Sequence, residues 1–266
     1  MLKQIRSLMR RQQVTGKNIL ESEGYCSTCN QNVSFVAKDP WLRDHFFCVK
    51  CGSIPRERVL MQTIEQFYPN WRDLVVHETS PGNRGASVRL AQECKTYIPS
   101  QFFPDQKPGE IYNGMRCENL EALTFDDESI DLHISQDVME HIFQPAKAFQ
   151  EIARTLKPGG AHIFTVPLVN KMKASKIRAK MAEDGTIKHI EQPVYHGNPI
   201  DSQGSLVTMD WGYDVVRHIF DATGLFTYLL YVDDIGKGIR AEYIEVLVTV
   251  KPANDIGGST PCINAA

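Results

Sequence analysis

Four cysteines constrain the N-terminal part of this chain more tightly than any other feature. Cys26 and Cys29 form one C-x2-C pair, Cys48 and Cys51 form a second, and 18 residues separate the two pairs. This spacing is typical of a tetrahedral zinc site in which each pair presents two thiolates to one ion. Because four protein ligands leave no open coordination position, we expect a structural zinc ion within a small β-rich ribbon.

Composition and charge exclude several classes of protein. The chain has 266 residues, of which 42% are hydrophobic and 23% charged, an ordinary globular mixture. Its net charge of −3 creates no field that would attract nucleic acid or an anionic membrane. No apolar run approaches the ~18 residues that a membrane-spanning helix needs, so we expect no membrane partner.

The cysteine count and the N-terminus bear on the cellular compartment. The opening segment MLKQIRSLMRRQQ carries charges throughout and lacks the apolar core of a secretory signal. Seven cysteines in a chain without such a signal favour a reducing compartment over a disulfide framework. We therefore expect a cytoplasmic location.

Residues 73–87 predict a strand, a tight turn and the start of a helix. An apolar run, Leu74 to Val76, is closed by the acid Glu78, and a turn containing Gly82 and Gly85 follows. This arrangement brings backbone N–H groups close to a nucleotide-like ligand. A single Gly-x-x-Gly spacing also occurs in ordinary βα turns, so the turn by itself leaves both interpretations open.

Strands continue to alternate with helical segments through most of the chain. Further strands are predicted at residues 96–98, 111–115, 130–134 and 161–166, with a terminal hairpin at 226–231 and 244–250. Alternation of this kind indicates an α/β fold with a parallel sheet. Ligands of such sheets bind beyond the carboxyl ends of the strands, near the point where the strand order reverses.

Four linked segments carry a family resemblance. They are ENLEALTFDDESID, LHIS, VMEHI and LKPGGAHIF, which follow one another between residues 118 and 164. Together they resemble a class I S-adenosylmethionine-dependent methyltransferase of the small-molecule, methyltransferase-11-like type. The resemblance implies a Rossmann-like domain with a seven-stranded, mostly parallel sheet whose last strand is antiparallel. It also implies S-adenosylmethionine as cofactor and methyl transfer by direct displacement.

The resemblance further implies which residues bind the cofactor. They belong to the turn after the first strand, the end of the second strand, the adenine contact and the loop over the sulfonium: Glu78, Ser80, Pro81 and Gly82; Gln101; Glu118, Asn119 and Leu120; Ser135, Gln136 and Asp137. Ser80 and Arg84 stand where the family has glycines, and Gln101 stands near the usual ribose-binding acid. These departures allow an altered cofactor pose.

The segment after the fifth strand, about residues 168–210, is expected to cover the substrate. Its basic part, KMKASKIRAK, fits a solvated helix face better than a cover for an acidic substrate. Its later part mixes aromatic and titratable residues with glycine and proline, and Asp210 is expected to cap the next helix. A hydroxyl acceptor benefits from a general base, for which His196 is the first candidate and His141 the second.

These inferences divide the chain into three parts. Residues 1–53 would form an N-terminal helix and the zinc ribbon, residues 54–252 the methyltransferase domain, and residues 253–266 a flexible tail. The expected function is S-adenosylmethionine-dependent methylation of a small molecule, such as a sugar or a secondary metabolite, with oxygen favoured as the acceptor atom.

Two alternative functions remain open from the sequence. The ribbon could hold the RNA or protein substrate of a methyltransferase, or the chain could be a non-catalytic binding protein that has kept the fold. Between its outer cysteines the ribbon carries only Lys38, Arg43 and Lys50, which is too little positive charge for a nucleic-acid reader. A small-molecule acceptor is therefore the favoured partner, and nucleic acid is disfavoured.

Overall fold

The computed structural model describes residues 17–198 and 202–254. The predicted N-terminal helix and residues 255–266 of the predicted flexible tail lie outside these residues. Among the residues that are described, no helix is both long and apolar enough to cross a bilayer.

The four predicted zinc ligands lie in or beside a three-stranded antiparallel ribbon. Its elements are β1 (Leu20–Cys26), β2 (Gln31–Ala37), the short helix α1 (Leu42–His45) and β3 (Phe46–Cys48). The strands pair in the order β1-β2-β3. Phe35 and Phe46 are fully buried beside Cys26 and Cys48, so the ribbon has a small apolar core of its own.

After the ribbon, helices and strands alternate as the sequence predicts. In chain order they are α2 (Pro55–Phe67), β4 (Val75–Thr79), α3 (Gly85–Glu93), β5 (Thr96–Gln101), β6 (Ile111–Tyr112), β7 (Met115–Cys117), β8 (Ile130–Gln136), α4 (Pro145–Thr155) and β9 (Leu156–Thr165). Single turns of 3-10 helix lie at Trp71–Asp73 and Met139–His141.

The remaining third of the chain begins with short strands. They are β10 (Lys176–Ile177), β11 (Ala179–Met181), β12 (Ile187–His189), β13 (Tyr195–His196), β14 (Ser205–Leu206) and β15 (Met209–Asp210). The last regular elements are α5 (Val215–Thr223), β16 (Thr227–Leu230), a 3-10 turn at Ile235–Lys237 and β17 (Val246–Val250).

Eight of these strands form one sheet in the order β16-β17-β9-β8-β4-β5-β7-β6. Strands β4, β5, β7, β8 and β9 run parallel, and β17 is antiparallel to both of its neighbours. The predicted Rossmann-like α/β fold with an antiparallel last strand is therefore confirmed. Because the strand order reverses between β4 and β8, the carboxyl ends of these two strands are the expected ligand site.

The sheet has eight strands where seven were predicted. The strand predicted at 111–115 is interrupted by Asn113 and Gly114, whose φ angles are +50° and +80°. An Asn-Gly pair with both φ angles positive forms the two-residue turn of a tight hairpin. The segment therefore folds back as β6 and β7, and β6 becomes an extra antiparallel edge strand.

Helices cover both faces of the sheet. Leu60 and Ile64 of α2 and Leu90 of α3 pack with Ile163 of β9 in one buried cluster. Its neighbour along the strand, Phe164, belongs to a second cluster with residues of α4 and α5. Adjacent residues of a strand point to opposite faces, so the domain has three layers with the sheet in the middle.

Two predictions in the region 168–220 are wrong. Residues 171–180 form no helix, because Lys176 and Ile177 pair as a strand with Asp210 and Met209. For the same reason Asp210 lies in β15, and Asp214 is the residue that precedes α5. The described residues of the 168–210 segment thus form three short antiparallel strand pairs rather than a helix and a loop.

Candidate active site

The structure brings the four predicted zinc ligands together. The Sγ atoms of Cys26 and Cys51 lie 3.8 Å apart, those of Cys29 and Cys48 lie 3.9 Å apart, and all four fall within 4.8 Å of one another. A tetrahedron with Zn–S bonds of about 2.3 Å has edges of about 3.8 Å. A disulfide would need an S–S distance of about 2.05 Å, and all six cysteines in the described residues are free. The four thiols therefore fit a zinc ion.

Arg58 of α2 anchors the ribbon to the rest of the chain. It is fully buried, its guanidinium lies 4.7 Å from the ring centroid of Phe35, and it donates hydrogen bonds to the carbonyls of Phe46 (2.8 Å), Gly238 (3.0 Å) and Ser53. Burial lowers the pKa of Arg58 to about 10, and the nearby cysteine thiolates oppose that shift. A buried cation of this kind balances the negative charge of thiolates bound to zinc.

Glu78 is located at the carboxyl end of β4, where the strand order reverses. It is fully buried and accepts hydrogen bonds from Ser87 Oγ (2.5 Å), Tyr97 Oη (2.8 Å) and Gln136 Nε2 (3.2 Å). Burial raises the pKa of Glu78 above its usual value despite these donors. A cationic group arriving beside Glu78 would stabilise its ionised form.

The turn after β4 has the backbone of a glycine-rich loop although two of its residues are not glycine. Ser80 has φ +52° and Gly85 has φ +58°, both in the left-handed region. The N–H of Gly82 donates to Ser87 Oγ (2.9 Å), which ties the turn to the first turn of α3. A Cβ atom at Gly85 would come within 2.2 Å of the Glu57 carboxylate, so glycine is required there.

The predicted adenine and ribose contacts lie along the carboxyl ends of β5 and β7. Gln101 ends β5 with only 9% of its surface exposed. Glu118 is bound by Arg116 Nε (2.6 Å), Leu120 is 5% exposed, and the Asn119 side chain accepts from the N–H of Glu121 (2.9 Å). These side chains are held in place by their own neighbours.

The three residues predicted over the sulfonium divide between two environments. Ser135 is 1% exposed and its hydroxyl lies 3.1 Å from His162 Nε2, inside the sheet. Gln136 also reaches Ser87 Oγ (3.1 Å), and both Gln136 and Asp137 line a large cavity. The carboxyl edge of the sheet, where the cofactor is predicted to bind, therefore borders this cavity at Gln136 and Asp137, and we call it the cofactor edge.

The cavity has a volume of about 650 Å³. Its walls come from separate parts of the chain, namely the ribbon, α2, the end of β8 and the turn after it, Pro167, and the 168–210 segment. The lining residues are Trp41, Arg43 and Asp44; Arg56; Gln136, Asp137, Glu140 and His141; Pro167; and Val169, Arg178, Val194, His196, Gly197, Val207, Met209 and Asp210. Tyr243 closes one side. The ribbon is thus part of the cavity wall.

Asp137 joins the ribbon to the edge of the sheet. Its carboxylate lies 2.8 Å from Arg43 Nη2 and 3.1 Å from Arg56 Nε, and Thr165 donates a hydrogen bond of 3.1 Å. Burial would raise the pKa of Asp137, but the two arginines outweigh burial and lower it below its usual value. Asp137 is therefore an ionised, fixed part of the cavity floor.

The two predicted catalytic histidines lie side by side in the cavity with Glu140. The His141 and His196 rings are 5.1 Å apart at right angles. Oε1 of Glu140 lies 3.7 Å from His141 Nε2 and 3.6 Å from His196 Nδ1. Contact with Glu140 raises the pKa of His196 above its usual value. We call these three residues the EHH cluster.

A row of buried histidines crosses the middle of the sheet. His77, His133 and His162 are in register on β4, β8 and β9, and each is 2% exposed or less. His77 Nδ1 lies 2.7 Å from His133 Nδ1 and its Nε2 lies 2.7 Å from Ser100 Oγ. Burial lowers the pKa of His77 and of His162 to about 3, and that of His133 well below its usual value. These rings are neutral packing groups.

Sequence reasoning missed the ribbon side of the cavity and the role of Glu140. Nothing local in the sequence connects Trp41 or Arg43 to residues 140–196. In the sequence, only the adjacent pair Glu140-His141 in VMEHI points to this cluster. Its third member, His196, lies 55 positions after His141.

Comparison with known proteins bears on the sheet and its cofactor edge. Residues 89–164 match a protein family described as "Methyltransferase domain". No curated protein matches the chain.

Solved structures with a similar fold include three from microorganisms. An S-adenosylmethionine-dependent methyltransferase from Mesorhizobium loti is 14% identical, with 72% of this chain and 96% of that chain covered and a TM-score of 0.46. A chain from the complex of the Haloferax volcanii Trm112 methyltransferase activator with a methyltransferase is 17% identical, with coverages of 76% and 92% and a TM-score of 0.46. A Methanosarcina mazei methyltransferase is 13% identical, with coverages of 70% and 97% and a TM-score of 0.40.

The family match spans the segments from α3 to β9, and the order of the sheet accounts for the strands on either side. Glu78, the turn at Ser80 and the switch point between β4 and β8 lie together at the carboxyl edge of this sheet. Residues 89–164 of the chain are therefore similar to a methyltransferase domain, and the sheet around them has a Rossmann-like strand order.

Proposed function

We propose that this methyltransferase transfers a methyl group to an oxygen of a small molecule, such as a sugar or a secondary metabolite, bound in the 650 Å³ cavity. The cavity carries this proposal. Its volume of about 650 Å³ falls in the range of small-molecule sites, about 300–1,000 Å³. It also borders the cofactor edge at Gln136 and Asp137, which is where an acceptor must lie for in-line transfer.

The cofactor would lie along the carboxyl ends of β4, β5 and β7. Glu78 would face its ammonium or ribose end, the turn at Ser80, Pro81 and Gly82 would run beside the methionine part, and Leu120 would contact the adenine. When bound, S-adenosylmethionine supplies the methyl group on its sulfonium. The paired side chains around Glu78 support this placement, because they fix the carboxylate before any ligand arrives.

His196 is the proposed general base, and His141 is the second candidate. The Nδ1–H of His141 donates to the carbonyl of Leu206 (2.8 Å), which turns its Nε2 toward Glu140. The His196 side chain is 43% exposed and lines the cavity, so an acceptor can reach it. A base beside the acceptor hydroxyl would take its proton as the oxygen attacks the methyl carbon.

The placement of the ribbon favours a small acceptor over a polymer. Arg43, one of the three basic residues between the outer cysteines, points into the cavity and is paired with Asp137. Lys50 is exposed and bonded to Gln31, so the outer face of the ribbon has little charge to hold a phosphate backbone. We propose that the four-cysteine site is a structural zinc site that keeps this wall folded.

The boundaries of the parts and the location of the protein remain proposals of the same kind. We propose the ribbon within residues 1–53, the methyltransferase domain within 54–252 with its substrate-covering segment at about 168–210, and a tail from 253. Free thiols at all six described cysteines support a reducing, cytoplasmic location.

Transfer of labelled methyl groups from S-adenosylmethionine tests the acceptor class. Panels of polyhydroxylated small molecules, RNA and protein are each offered to the full chain. We expect label in small molecules, and Arg43→Met should lower that transfer roughly ten- to hundred-fold, because it disturbs the cavity wall.

Lys50→Met is the matched control, since it removes a ribbon cation outside the cavity. It should leave transfer unchanged. Label found only in RNA or protein, and lost in Lys50→Met, would establish the polymer alternative instead.

A further inference from the structure

We propose that the EHH cluster binds a divalent transition-metal ion, separate from the four-cysteine site. The proposal concerns binding alone, so it holds or fails independently of which acceptor the enzyme methylates. It rests on Glu140, on the charge balance of the cavity and on the geometry of the two histidines.

Glu140 is a buried carboxylate without a hydrogen-bond donor. Its side chain is 2% exposed, and neither carboxylate oxygen has a hydrogen-bond partner in the described part of the chain. Removing an ionised carboxylate from water without a partner costs several kcal/mol. The contacts to His141 and His196, at 3.7 Å and 3.6 Å, exceed hydrogen-bond length. A divalent cation held between these three side chains would neutralise this charge.

Among the charged residues of the cavity, Glu140 is the carboxylate that lacks a positive partner. With both lining histidines neutral, three arginines and four carboxylates line it, which leaves one negative charge in excess. Arg43 and Arg56 are paired with Asp137 and Asp44, and Arg178 lies 2.7 Å from Asp210. Glu140 is the one of the four carboxylates in this lining that has no arginine partner. A bound cation would complete the balance.

The positions of the ligand atoms fit one ion. One nitrogen of each histidine and one oxygen of Glu140 lie within 4.8 Å of one another. Metal–ligand bonds of about 2.1 Å in a tetrahedral site place ligand atoms about 3.4 Å apart, close to the 3.6 and 3.7 Å found here. His141 also donates its other N–H to a backbone carbonyl, as metal-binding histidines do.

The donor set selects the class of ion. Two imidazoles and one carboxylate suit Zn²⁺, Co²⁺ or Fe²⁺, whereas Mg²⁺ prefers oxygen ligands. Three protein ligands also leave at least one coordination position open toward the cavity. An ion held here would therefore be accessible to a hydroxyl of an acceptor, unlike an ion in the closed four-cysteine site.

A bound ion and a histidine base exclude each other at His196, because binding of the ion through Nδ1 leaves Nε2 protonated and the ring without a free lone pair. If the cluster holds an ion, that ion would lower the pKa of a hydroxyl bound to it, and the hydroxyl proton would pass to solvent instead of to His196. Metal binding is measured without cofactor or acceptor, so its failure would leave the proposed methyl transfer untouched.

Titration of the full chain with Co²⁺ tests the proposal. Cobalt bound to thiolates shows sulfur-to-metal charge-transfer absorption, which an imidazole–carboxylate site cannot produce, so the two sites are distinguished in one spectrum. We expect one equivalent of Co²⁺ to bind without charge-transfer absorption, and to raise the melting temperature by about 5 °C at a hundred-fold excess over Kd.

Glu140→Gln and His196→Asn test the ligands while keeping the side-chain volume similar. Each should weaken Co²⁺ binding by roughly 100-fold or more, beyond the 10–100-fold effect of changes outside the ligand set. His189→Asn, an exposed histidine of the same segment outside the cavity, should bind as the unaltered chain does. Equal Co²⁺ affinity in all four proteins, or only the charge-transfer species, would overturn the proposal.

Discussion

The predicted cofactor edge and the proposed acceptor cavity meet at Gln136 and Asp137, but the side chains of the two regions are held in place differently. At the cofactor edge, Glu78 receives three hydrogen bonds from neighbours on β5, α3 and β8. In the cavity, Glu140 has two histidines near it and no hydrogen-bond donor among the described residues. One region is complete before a ligand arrives, and the other has an unbalanced charge facing an open space.

This difference suggests a division of labour between the two regions. The edge belongs to the sheet and depends on local strand and turn geometry. The cavity depends on the ribbon and on the 168–210 segment, whose walls must stay in place against the sheet. Changes in the ribbon should therefore damage the cavity and spare the edge, and changes inside the sheet should do the reverse.

Cys48→Ser should have the largest effect, and it should separate the two regions. Losing one of four thiolates should release the metal and unfold the ribbon, because a metal-binding free energy of about 10 kcal/mol or more contributes to its folding. Methyl transfer to the acceptor should be lost because Trp41 and Arg43 leave the cavity wall. Elemental analysis, thermal unfolding and S-adenosylmethionine calorimetry measure the three consequences.

The affinity of Cys48→Ser for S-adenosylmethionine should stay within about three-fold of that of the unaltered chain. A three-fold change in Kd corresponds to about 0.7 kcal/mol of binding free energy. Cys94→Ala is the matched control, since Cys94 lies in the main core away from the ribbon and should keep the metal. Loss of cofactor binding together with the ribbon would contradict the separation of the two regions.

Acid should weaken the sheet through its buried histidine row. The pKa of a histidine is about 6.5 in the unfolded chain and about 3 for His77 and His162 in the folded one. Between these values the unfolded chain binds more protons, so stability falls as the pH drops from about 6.5 toward 3. Each such histidine contributes about 1.4 kcal/mol per pH unit, or about 2 kcal/mol between pH 6.5 and pH 5.

His162→Gln removes one titrating ring from the row and keeps a hydrogen-bonding group near Ser135. The free energy of unfolding is measured in urea at pH 7 and at pH 5. Its decrease on acidification should be about 2 kcal/mol smaller in this variant than in the unaltered chain. His189→Gln, at an exposed position, should not change the loss. An unchanged pH dependence in His162→Gln would show that this ring is not neutral in the folded protein.

Ser80→Gly should have the smallest effect, and it probes the turn at the cofactor edge. A serine at φ +52° is strained by about 1 kcal/mol relative to glycine. The variant should therefore gain up to about 1 kcal/mol in urea unfolding and bind S-adenosylmethionine at least as well. A loss of affinity of about ten-fold would instead mean that the serine hydroxyl contacts the cofactor.

The fold could be predicted largely because its signals are local. Each C-x2-C pair, each apolar strand and each of the segments ENLEALTF, VMEHI and LKPGG is a short continuous stretch of the sequence. The hairpin at Asn113-Gly114 is also encoded locally, because this pair is a turn signal that divides the strand predicted at 111–115 in two. The helix predicted at 171–180 failed because pairing with Met209 and Asp210 overrides the local periodicity.

The cavity could not be predicted in the same way because it is assembled from distant segments. His196 and His141 were chosen as single residues, whereas their relation to Glu140 depends on β13 and β14, which place His196 opposite residue 140. The contribution of Arg43 depends on how the ribbon docks through Arg58. Such docking depends on packing between distant segments, and this packing produces no periodic pattern of apolar residues from which it could be predicted.

Calorimetry with S-adenosylmethionine is the most direct test of the cofactor edge, since every other role of that edge depends on binding. We expect one cofactor bound per chain, and an affinity about ten-fold lower in Glu78→Gln, because a charge-assisted contact worth about 1.4 kcal/mol is lost. Absence of binding by both S-adenosylmethionine and its demethylated product to the folded protein would contradict the assignment of this edge to the cofactor.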